Sequence, residues 1–314
     1  MRSVAVTMLI LKILHYPLYL MIFTLDQIAL YAKRARSTPR SISEELRGWR
    51  WNEPPVFPSS SRTLGVSDVL STCPTGRDVF LRYVKWVRSG TEPRGSLIHE
   101  TYASAVETVK RFIYEGVSDG NQLRSSMLEE FYTFMKTLDK YRDFPQYLEV
   151  GRAMWDYVSS VYSSELDRAV QRSPFLARDS LASMIVPFFV EYPIDGSLVG
   201  LNQVRVDAFI PQIPMVAEMK TGVRKKYELS LAGYALAYES NFETPVDFGL
   251  LCYVKYEGRI NVRCDFKVIS DRMREEFLEE RDKRLEILDK EIDPGLPNFC
   301  DPHCPFLSVC GGKR

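Results

Sequence analysis

The 314-residue sequence has no excess of charge of either sign, because Lys and Arg together number 41 and Asp and Glu together also number 41. A net charge of zero excludes a protein that holds a polyanion through its overall charge, so any nucleic-acid site must be a local basic patch. An internal repeat or low-complexity segment is also missing. The charged fraction of 26% and the hydrophobic fraction of 45% are typical of a soluble globular protein with a substantial core.

The six cysteines lack the regular spacing of a disulfide framework. Cys252 and Cys264 lie inside apolar segments that we predict to be strands, and we interpret them as buried core thiols. Cys300, Cys304 and Cys310 crowd the C-terminus, which indicates a metal or cluster site that requires a further ligand. Zinc held by these three cysteines together with His303 or Cys73 is one alternative.

The N-terminal twenty residues form a separate problem. Residues 4–23 are apolar enough to suggest a signal peptide or a membrane anchor, but Lys12, His15 and Pro17 interrupt them and no small-residue cleavage site follows. Met21 then opens a segment with the pattern of a capped amphipathic helix. We interpret Met21 as the true initiator, with an anchor as the alternative, and therefore expect a cytoplasmic protein.

The chain divides into four regions by its patterns. An N-terminal helix capped by Thr24 and a Pro/Ser-rich connector occupy residues 1–65, and a mainly helical region occupies 66–180. Residues 181–292 predict an α/β core in the order three strands, a helix and two more strands. Residues 293–314 form the cysteine-rich tail. Within the core we expect strands at MIVPFFVEYPI, VRVDAFI, IPMVAEMK, VDFGLLCYVKY and INVRCDFKVI, and helices from about Lys225 to Glu239 and from Asp271 to Asp289.

The central chemical signal is Asp207 followed by Glu218, Met219 and Lys220. Residues two apart in a strand face the same side, so Glu218 and Lys220 point together, and a hairpin through Pro211 brings Asp207 beside them. Two neighbouring carboxylates repel each other unless a divalent cation joins them. Lys220 would then orient a water molecule or stabilise charge on a phosphodiester. The alternative is a solvated strand face that carries a surface ion pair.

Four short motifs together resemble a known family. GSLIHE with His99 resembles the GxxxH motif of RecB-type nucleases, VRVDAF the motif with the metal-binding Asp, and AEMKTG the E-x-K motif. SLAGYALAYE lies where that family carries QxxxY, with Ser230 at the Gln position and Tyr234 at the Tyr position. With the Cys-Pro sequence at Cys73, these motifs resemble the CRISPR-associated RecB-like exonuclease family, the fourth of the core Cas proteins. SEELRGWRWNEPPV and CPTGRDVFLR resemble its archaeal subtype I-A branch.

The resemblance implies a restriction-endonuclease-like PD-(D/E)XK core sheet with flanking helices, an N-terminal helical region and an iron–sulfur-bound C-terminal tail. It implies a divalent metal, manganese or magnesium, on His99, Asp207, Glu218 and the Met219 carbonyl, with Lys220 and Tyr234 in the catalytic set. Glu191, on the preceding strand, is an outer member or a rim carboxylate. The resemblance also implies a four-iron cluster on Cys73, Cys300, Cys304 and Cys310.

The function implied by the resemblance is exonuclease action on single-stranded DNA or overhangs, which trims DNA before its integration as a new spacer. The expected partners are DNA, the CRISPR integrase and its small partner subunit; no membrane is expected, and a homo-oligomer stays open. For DNA contact we predict the basic run Arg224, Lys225 and Lys226, with Lys33, Arg34 and Arg36 next in order. Two alternatives stay open: a RecB-like repair nuclease without a CRISPR role, and a non-catalytic DNA-binding scaffold.

Overall fold

The computed structural model describes residues 23–88, 93–138, 141, 145–223, 226–301 and 304–311. In that part of the chain a five-stranded sheet lies at the centre, with the strands in sequence order. The strands are β1 (Phe189–Asp195), β2 (Gln203–Ile210), β3 (Met215–Lys220), β4 (Phe248–Tyr256) and β5 (Ile260–Val268). The helices are α1 (Leu25–Ser37), α2 (Val66–Val69), α3 (Arg77–Tyr83), α4 (Pro93–Glu115), α5 (Gly120–Thr137), α6 (Pro145–Arg172), α7 (Arg178–Ile185), α8 (Leu229–Phe242), α9 (Asp271–Lys290) and α10 (Leu307–Cys310).

The sheet is mixed. Strands β1, β2 and β3 form an antiparallel meander, and β4 and β5 form an antiparallel hairpin. Strands β3 and β4 run parallel, which requires a crossover connection, and α8 supplies it. This order confirms the predicted α/β sheet with flanking helices.

Each face of the sheet is covered by its own hydrophobic core. On one face, α1 and the bundle α4–α7 pack against sheet residues that include Ala208, Ala217 and Met219; we call this the bundle side. On the other face, α8, α9 and the N-terminal segment of residues 46–69 pack against Val206, Phe209 and other strand residues; we call this the crossover side. The sheet is therefore covered on both faces, and buried apolar residues occupy Ala208 to Ile210 of β2 and Met215 to Ala217 of β3.

Helix α1 confirms the predicted cap. The Thr24 hydroxyl accepts a hydrogen bond from the Gln27 amide at 3.4 Å, and the Gln27 side chain accepts one from the Thr24 amide at 3.1 Å. This reciprocal pair is a capping box, which satisfies two amides at the helix start.

Two predicted boundaries were wrong. The segment from Met184 was expected to be strand throughout, but α7 continues to Ile185, and the strand starts only at Phe189. Pro187 disfavours helical geometry at Val186, whose φ of -122° and ψ of 79° end the helix. Helix α8 begins at Leu229 and not at about Lys225.

Helix α9, which the sequence predicted from Asp271 to Asp289, is rich in charged residues. Some of its arginines lie on the buried face of the helix. Arg274 and Arg281 are both 0% exposed. Arg274 forms two hydrogen bonds to Glu239 of α8, at 2.7 and 2.8 Å, and Arg281 donates to the carbonyls of Val56 and Val199 at 2.6 and 3.1 Å. These contacts attach the N-terminal connector and α8 to α9, since a buried guanidinium is stable only when its donors are satisfied.

None of the helices in the described part of the chain is both long enough and apolar enough to cross a membrane.

Candidate active site

The two central carboxylates meet where β2 and β3 pair. The paired part of the ladder ends with Ala208 opposite Ala217, and Asp207 and Glu218 are the next residue of each strand. Their carboxylates are close enough for the charge of Asp207 to raise the pKa of Glu218. Asp207 is 8% exposed and Glu218 is 4% exposed. Two carboxylates are therefore buried side by side, an arrangement that is unfavourable without a compensating cation or proton.

His99 reaches this pair from α4 on the bundle side. Its Nδ1 lies 3.0 Å from Asp207 Oδ1, and Asp207 Oδ2 accepts a hydrogen bond from the Met219 amide at 2.6 Å. Burial opposes the charged imidazole, but the charge of Asp207 and the hydrogen bond to it outweigh burial and raise the pKa of His99. Asp207 is thus held from both sides, by an imidazole and by a backbone amide.

Lys220 is the last residue of β3, two residues after Glu218. Its Nζ donates to Glu218 Oε1 at 2.5 Å and lies 5.0 Å from the centre of the Tyr227 ring. Burial raises the pKa of Glu218 to about 7, with Asp207 adding to the rise and Lys220 opposing it. The sequence interpretation did not include Tyr227, although its place shortly after the E-x-K segment was a usable signal.

One carboxylate oxygen, Glu218 Oε2, is buried and lacks a hydrogen bond of ordinary length within the described part of the chain. The Tyr234 hydroxyl approaches Glu218, since an interaction with this carboxylate contributes to the raised pKa of that hydroxyl. A buried oxygen of an ionised carboxylate without a partner is costly, and a divalent cation would satisfy it. In the same part of the chain, no group of three or more His, Cys, Asp or Glu side chains already stands in a metal-binding arrangement, so a metal here would require the side chains that now pair with each other to reorient. His99, Asp207 and Glu218 fit a metal by the nature of their donor atoms, with the buried Glu218 Oε2 as the supporting observation.

Tyr234 and Ser230 lie on the inner face of α8. Tyr234 is 7% exposed, and burial, followed by the charges of Glu218 and Asp207, raises the pKa of its hydroxyl well above the usual value. Such a buried ring is not available to stack on a base. Ser230 is buried as well, and its hydroxyl donates to the Tyr227 carbonyl at 2.7 Å, so its hydrogen bond stays within the chain.

A cleft of about 790 Å³ opens beside the carboxylates. His99, Glu191 and Arg205 line it, together with Glu100 and Glu107 from α4. Burial raises the pKa of Glu191, and the charge of Asp207 raises it further. The cleft therefore opens the His99 side of the site to solvent.

The four cysteines predicted to hold a cluster line one small pocket. Cys73, from the segment before α3, shares it with Cys300, Cys304 and Cys310 of the tail, and all four are free thiols. Arg77 donates to the Cys310 carbonyl at 2.7 Å and approaches Cys310 Sγ at 3.4 Å. The pocket thus holds four free thiols, one from the N-terminal region and three from the tail. This set of donor atoms fits a four-thiolate cluster. His303, the alternative zinc ligand, lies outside the described residues.

The interpretation of Cys252 and Cys264 as core thiols was wrong in part. Both are buried, as predicted, but they form a disulfide. The register of β4 and β5 places them directly opposite each other, which brings the two sulfur atoms together. This pairing requires a long-range register that the apolar pattern of each strand alone does not contain.

The predicted DNA-contact residues are only partly described. Arg224 and Lys225 lie outside the described residues, and Lys226 is exposed and pairs with Glu280 of α9 at 3.0 Å. Lys33, Arg34 and Arg36, the next candidates, are all exposed on α1.

Comparisons with known proteins give one consistent result. The model of the family described as CRISPR-associated exonuclease Csa1 matches residues 21–313. The chain is 46% identical to the CRISPR-associated exonuclease Csa1 of Saccharolobus solfataricus over 296 residues, which is 92% of this chain and 99% of that protein. It is 32% identical to the protein of the same name from Thermoproteus tenax over 293 residues, which is 91% of this chain and 99% of that relative.

Proposed function

The chain belongs to the Csa1 family of CRISPR-associated exonucleases, and from that premise we propose that it is a metal-dependent DNA exonuclease. We propose single-stranded DNA or overhangs as its substrate and the trimming of DNA before spacer integration as its role. The CRISPR integrase and its small partner subunit would work with it. The observation that carries the proposal is the buried pair Asp207 and Glu218, with Lys220 beside them and one Glu218 oxygen that lacks a hydrogen bond of ordinary length within the described residues.

His99, Asp207, Glu218 and the Met219 carbonyl would hold the divalent ion, manganese or magnesium. When bound, the ion would polarise the phosphodiester and acidify a water molecule. The chain's own residues prepare the site: the Met219 amide and His99 orient the Asp207 carboxylate, and Glu218 holds the Lys220 ammonium. Lys220 would stabilise negative charge that develops on the phosphate. Arg224, Lys225 and Lys226 would hold the DNA backbone by local charge.

We also propose that Cys73, Cys300, Cys304 and Cys310 hold an iron–sulfur cluster of the four-iron type, with an architectural role. The shared pocket and the free state of all four thiols support this. A cluster there would join the segment before α3 to the tail, and closing so long a loop is entropically costly without such a clip.

Cleavage of end-labelled single- and double-stranded DNA, with manganese or magnesium, tests the proposed activity. We expect wild-type protein to shorten single-stranded DNA from an end and to stop when a chelator removes the metal. Lys220→Ala should lose on the order of 10² in rate, and Asp207→Ala should be inactive. Lys283→Ala, which removes an exposed lysine of α9, is the control and should retain full activity. Full activity in folded Lys220→Ala or Asp207→Ala would contradict the proposal, and binding without cleavage by wild type would favour a scaffold.

A further inference from the structure

Five aromatic side chains form a continuous row of rings that begins at β1, the edge strand of the sheet. Neighbouring rings have their centres 4.5–5.4 Å apart, in the order Phe189, Tyr192, Phe209, Tyr238 and Phe242. We call this row the aromatic stack. Its middle ring is buried, whereas the end rings, Phe189 and Phe242, are 48% and 50% exposed. The aromatic stack thus presents one half-exposed ring at each end.

The Phe189 end of the aromatic stack lies in a pocket. Phe189, Lys110 and Tyr114 line a cavity of about 280 Å³, together with Asp179, Gln212 and neighbouring residues. We call this cavity the edge pocket. Its volume is close to the lower end of the range for small-molecule sites, roughly 300–1,000 Å³. The edge pocket therefore suits one small group and not a long stretch of chain.

The polar side chains of the edge pocket suit a neutral ligand that forms hydrogen bonds. Among the described residues that line it, Lys110 and Asp179 carry charge, one of each sign. Lys110 Nζ donates to the Phe188 carbonyl at 2.7 Å and lies 5.7 Å from the centre of the Phe189 ring. Asp179 accepts a hydrogen bond from the Tyr114 hydroxyl at 3.0 Å. Because an ammonium has three donors and a carboxylate several acceptor sites, both can also bind a ligand. An exposed ring beside a donor and an acceptor matches the face and the edge of a nucleobase.

The edge pocket lies along the same elements as the candidate active site. On α4, Lys110 follows His99 by eleven residues, which is about 16 Å at the helical rise. On β2, the turn at Pro211 follows Asp207 by four residues, which is about 13 Å in an extended strand. Both elements thus place the edge pocket on the order of 15 Å from the carboxylates, a span of roughly four to five nucleotides at duplex spacing and fewer in an extended strand.

We propose that the edge pocket binds one unpaired base of single-stranded DNA, which stacks on Phe189 and extends the aromatic stack. This rests on the proposed nuclease function and identifies how its substrate would be recognised as single-stranded. A base inside a duplex is paired and stacked, so it cannot enter such a pocket without being extruded. Tyr192 already packs against Phe189, so the ring loses little freedom when a base binds. Lys110 would donate to a polar atom on the edge of the base.

Phe189→Leu and Phe242→Leu form a matched pair for a binding test. Each removes a half-exposed ring from one end of the aromatic stack, but Phe189 is the one that lines the edge pocket. With labelled single-stranded DNA and a chelator to prevent cleavage, we expect Phe189→Leu to weaken binding about five-fold or more. Phe242→Leu should stay within about two-fold of wild type, and so should Phe189→Trp, which keeps an aromatic face. Wild-type affinity in Phe189→Leu, equal losses in the two leucine variants, or no binding by wild type would overturn the proposal.

A strand in which one nucleotide lacks its base tests the stacking contact directly. The single-stranded overhang of a DNA hairpin fixes the register, and the abasic position is moved along it. In wild type, one position should cost about five-fold or more in affinity. At that position Phe189→Leu should lose little further, because both changes remove the same contact. Losses that add to that of Phe189→Leu at every position would show that the variant disturbs the fold, and would overturn the proposal.

Cleavage assays separate this proposal from the proposed function. Phe189→Leu should raise KM and leave kcat within about two-fold, because the stacked base is bound equally before and during the reaction. If Lys220→Ala abolishes cleavage while Phe189→Leu binds like wild type, the nuclease assignment stands and the edge pocket is not a base site. If wild type does not cleave but Phe189→Leu weakens binding at one base position, the base site stands and the nuclease assignment falls. Circular dichroism checks that each variant is folded.

Discussion

At the scale of single residues, the site depends on how the Lys220 ammonium is held. Glu218 Oε1 binds it on one side, and the Tyr227 ring lies 5.0 Å from it. A cation near an aromatic face gains about 0.5–2 kcal/mol, more where water is excluded. Lys220 itself is only partly exposed. The ring therefore limits the positions that the ammonium can take before substrate arrives.

Tyr227→Leu should lower the single-turnover cleavage rate by about three- to ten-fold, because Lys220 loses its aromatic contact. Tyr227→Phe is the conservative control: it keeps the ring and should retain nearly the whole rate. Cleavage of end-labelled single-stranded DNA measures both. Equal losses in the two variants would assign the effect to the hydroxyl group and not to the ring.

At the scale of elements, α9 is attached to α8 by a buried ion pair. Glu239 is 0% exposed and accepts hydrogen bonds from Arg274, from Arg47 and from the Gly48 and Val246 amides. The Arg274 guanidinium also donates to the carbonyls of Leu46 and Val246. Removing one partner would leave a buried charge without its full compensation. This costs more stability than replacing both partners by apolar residues would.

Arg274→Met should lower the free energy of unfolding by about 3–5 kcal/mol. Arg272→Met is the matched control, because Arg272 lies on the exposed face of the same helix and pairs with Glu276 at 3.2 Å. Loss of an exposed pair should change stability by about 0.5 kcal/mol or less. Denaturant unfolding followed by circular dichroism measures the difference. Similar stability in the two variants would contradict the structural role of the buried pair.

The β4–β5 hairpin contains a second element-scale contact, the Cys252–Cys264 disulfide. It closes a loop with a sequence separation of 12 residues. A cross-link of this span restricts the unfolded chain and is worth about 3 kcal/mol. The disulfide lies beside the site, since Cys252 is the ladder partner of Met219.

The double variant Cys252→Ala with Cys264→Ala should therefore unfold at lower denaturant concentration than wild type. A thiol reductant in the unfolding series should destabilise wild type by a similar amount and leave the double variant unchanged. If reductant has the same effect on both proteins, the two sulfur atoms are not joined in solution.

At the scale of the whole molecule, the C-terminal tail contacts the segment around α3. These contacts lie close to the tail cysteines. Arg77 pairs with Asp293 at 2.8 Å and contacts Cys310, and Arg284 of α9 donates to the Cys73 carbonyl at 3.1 Å. Phe80 and Phe306 pack together beside the cysteine pocket. A cluster on the four thiols would add covalent bonds to these contacts.

Anaerobically purified protein should contain iron and sulfide near four per chain, if the proposed four-iron cluster is present. An iron–sulfur cluster would make the protein brown. Cys304→Ala should lose this colour and melt at a lower temperature, because the cluster would no longer join the segment around Cys73 to the C-terminal tail. The double variant of Cys252 and Cys264 is the control and should keep its colour. One zinc per chain in colourless protein would favour the zinc site instead.

The sequence by itself determined the local features of this protein. Thr24 and Gln27 form the predicted cap because a capping box needs only a few neighbouring residues. The two-residue period of the strands and the turn near Pro211 were enough to predict Asp207 close to Glu218, and Glu218 on the same side as Lys220. The order of strands and helices along the chain also followed from pattern.

Only the tertiary structure decided the contacts between distant segments. Arg274 meets the Leu46 carbonyl across 228 positions, and Arg281 meets the Val56 carbonyl across 225. The disulfide and the left-handed backbone at Glu191, with its φ of 48°, depend on how strands are registered and packed. Periodicity assigns each residue to a face of its own element, but it does not say which surface that face will meet. The surface that each face meets is set when both hydrophobic cores pack against the sheet. This packing buries an arginine, or holds a glutamate in a left-handed conformation, where the surrounding contacts outweigh the local energetic cost.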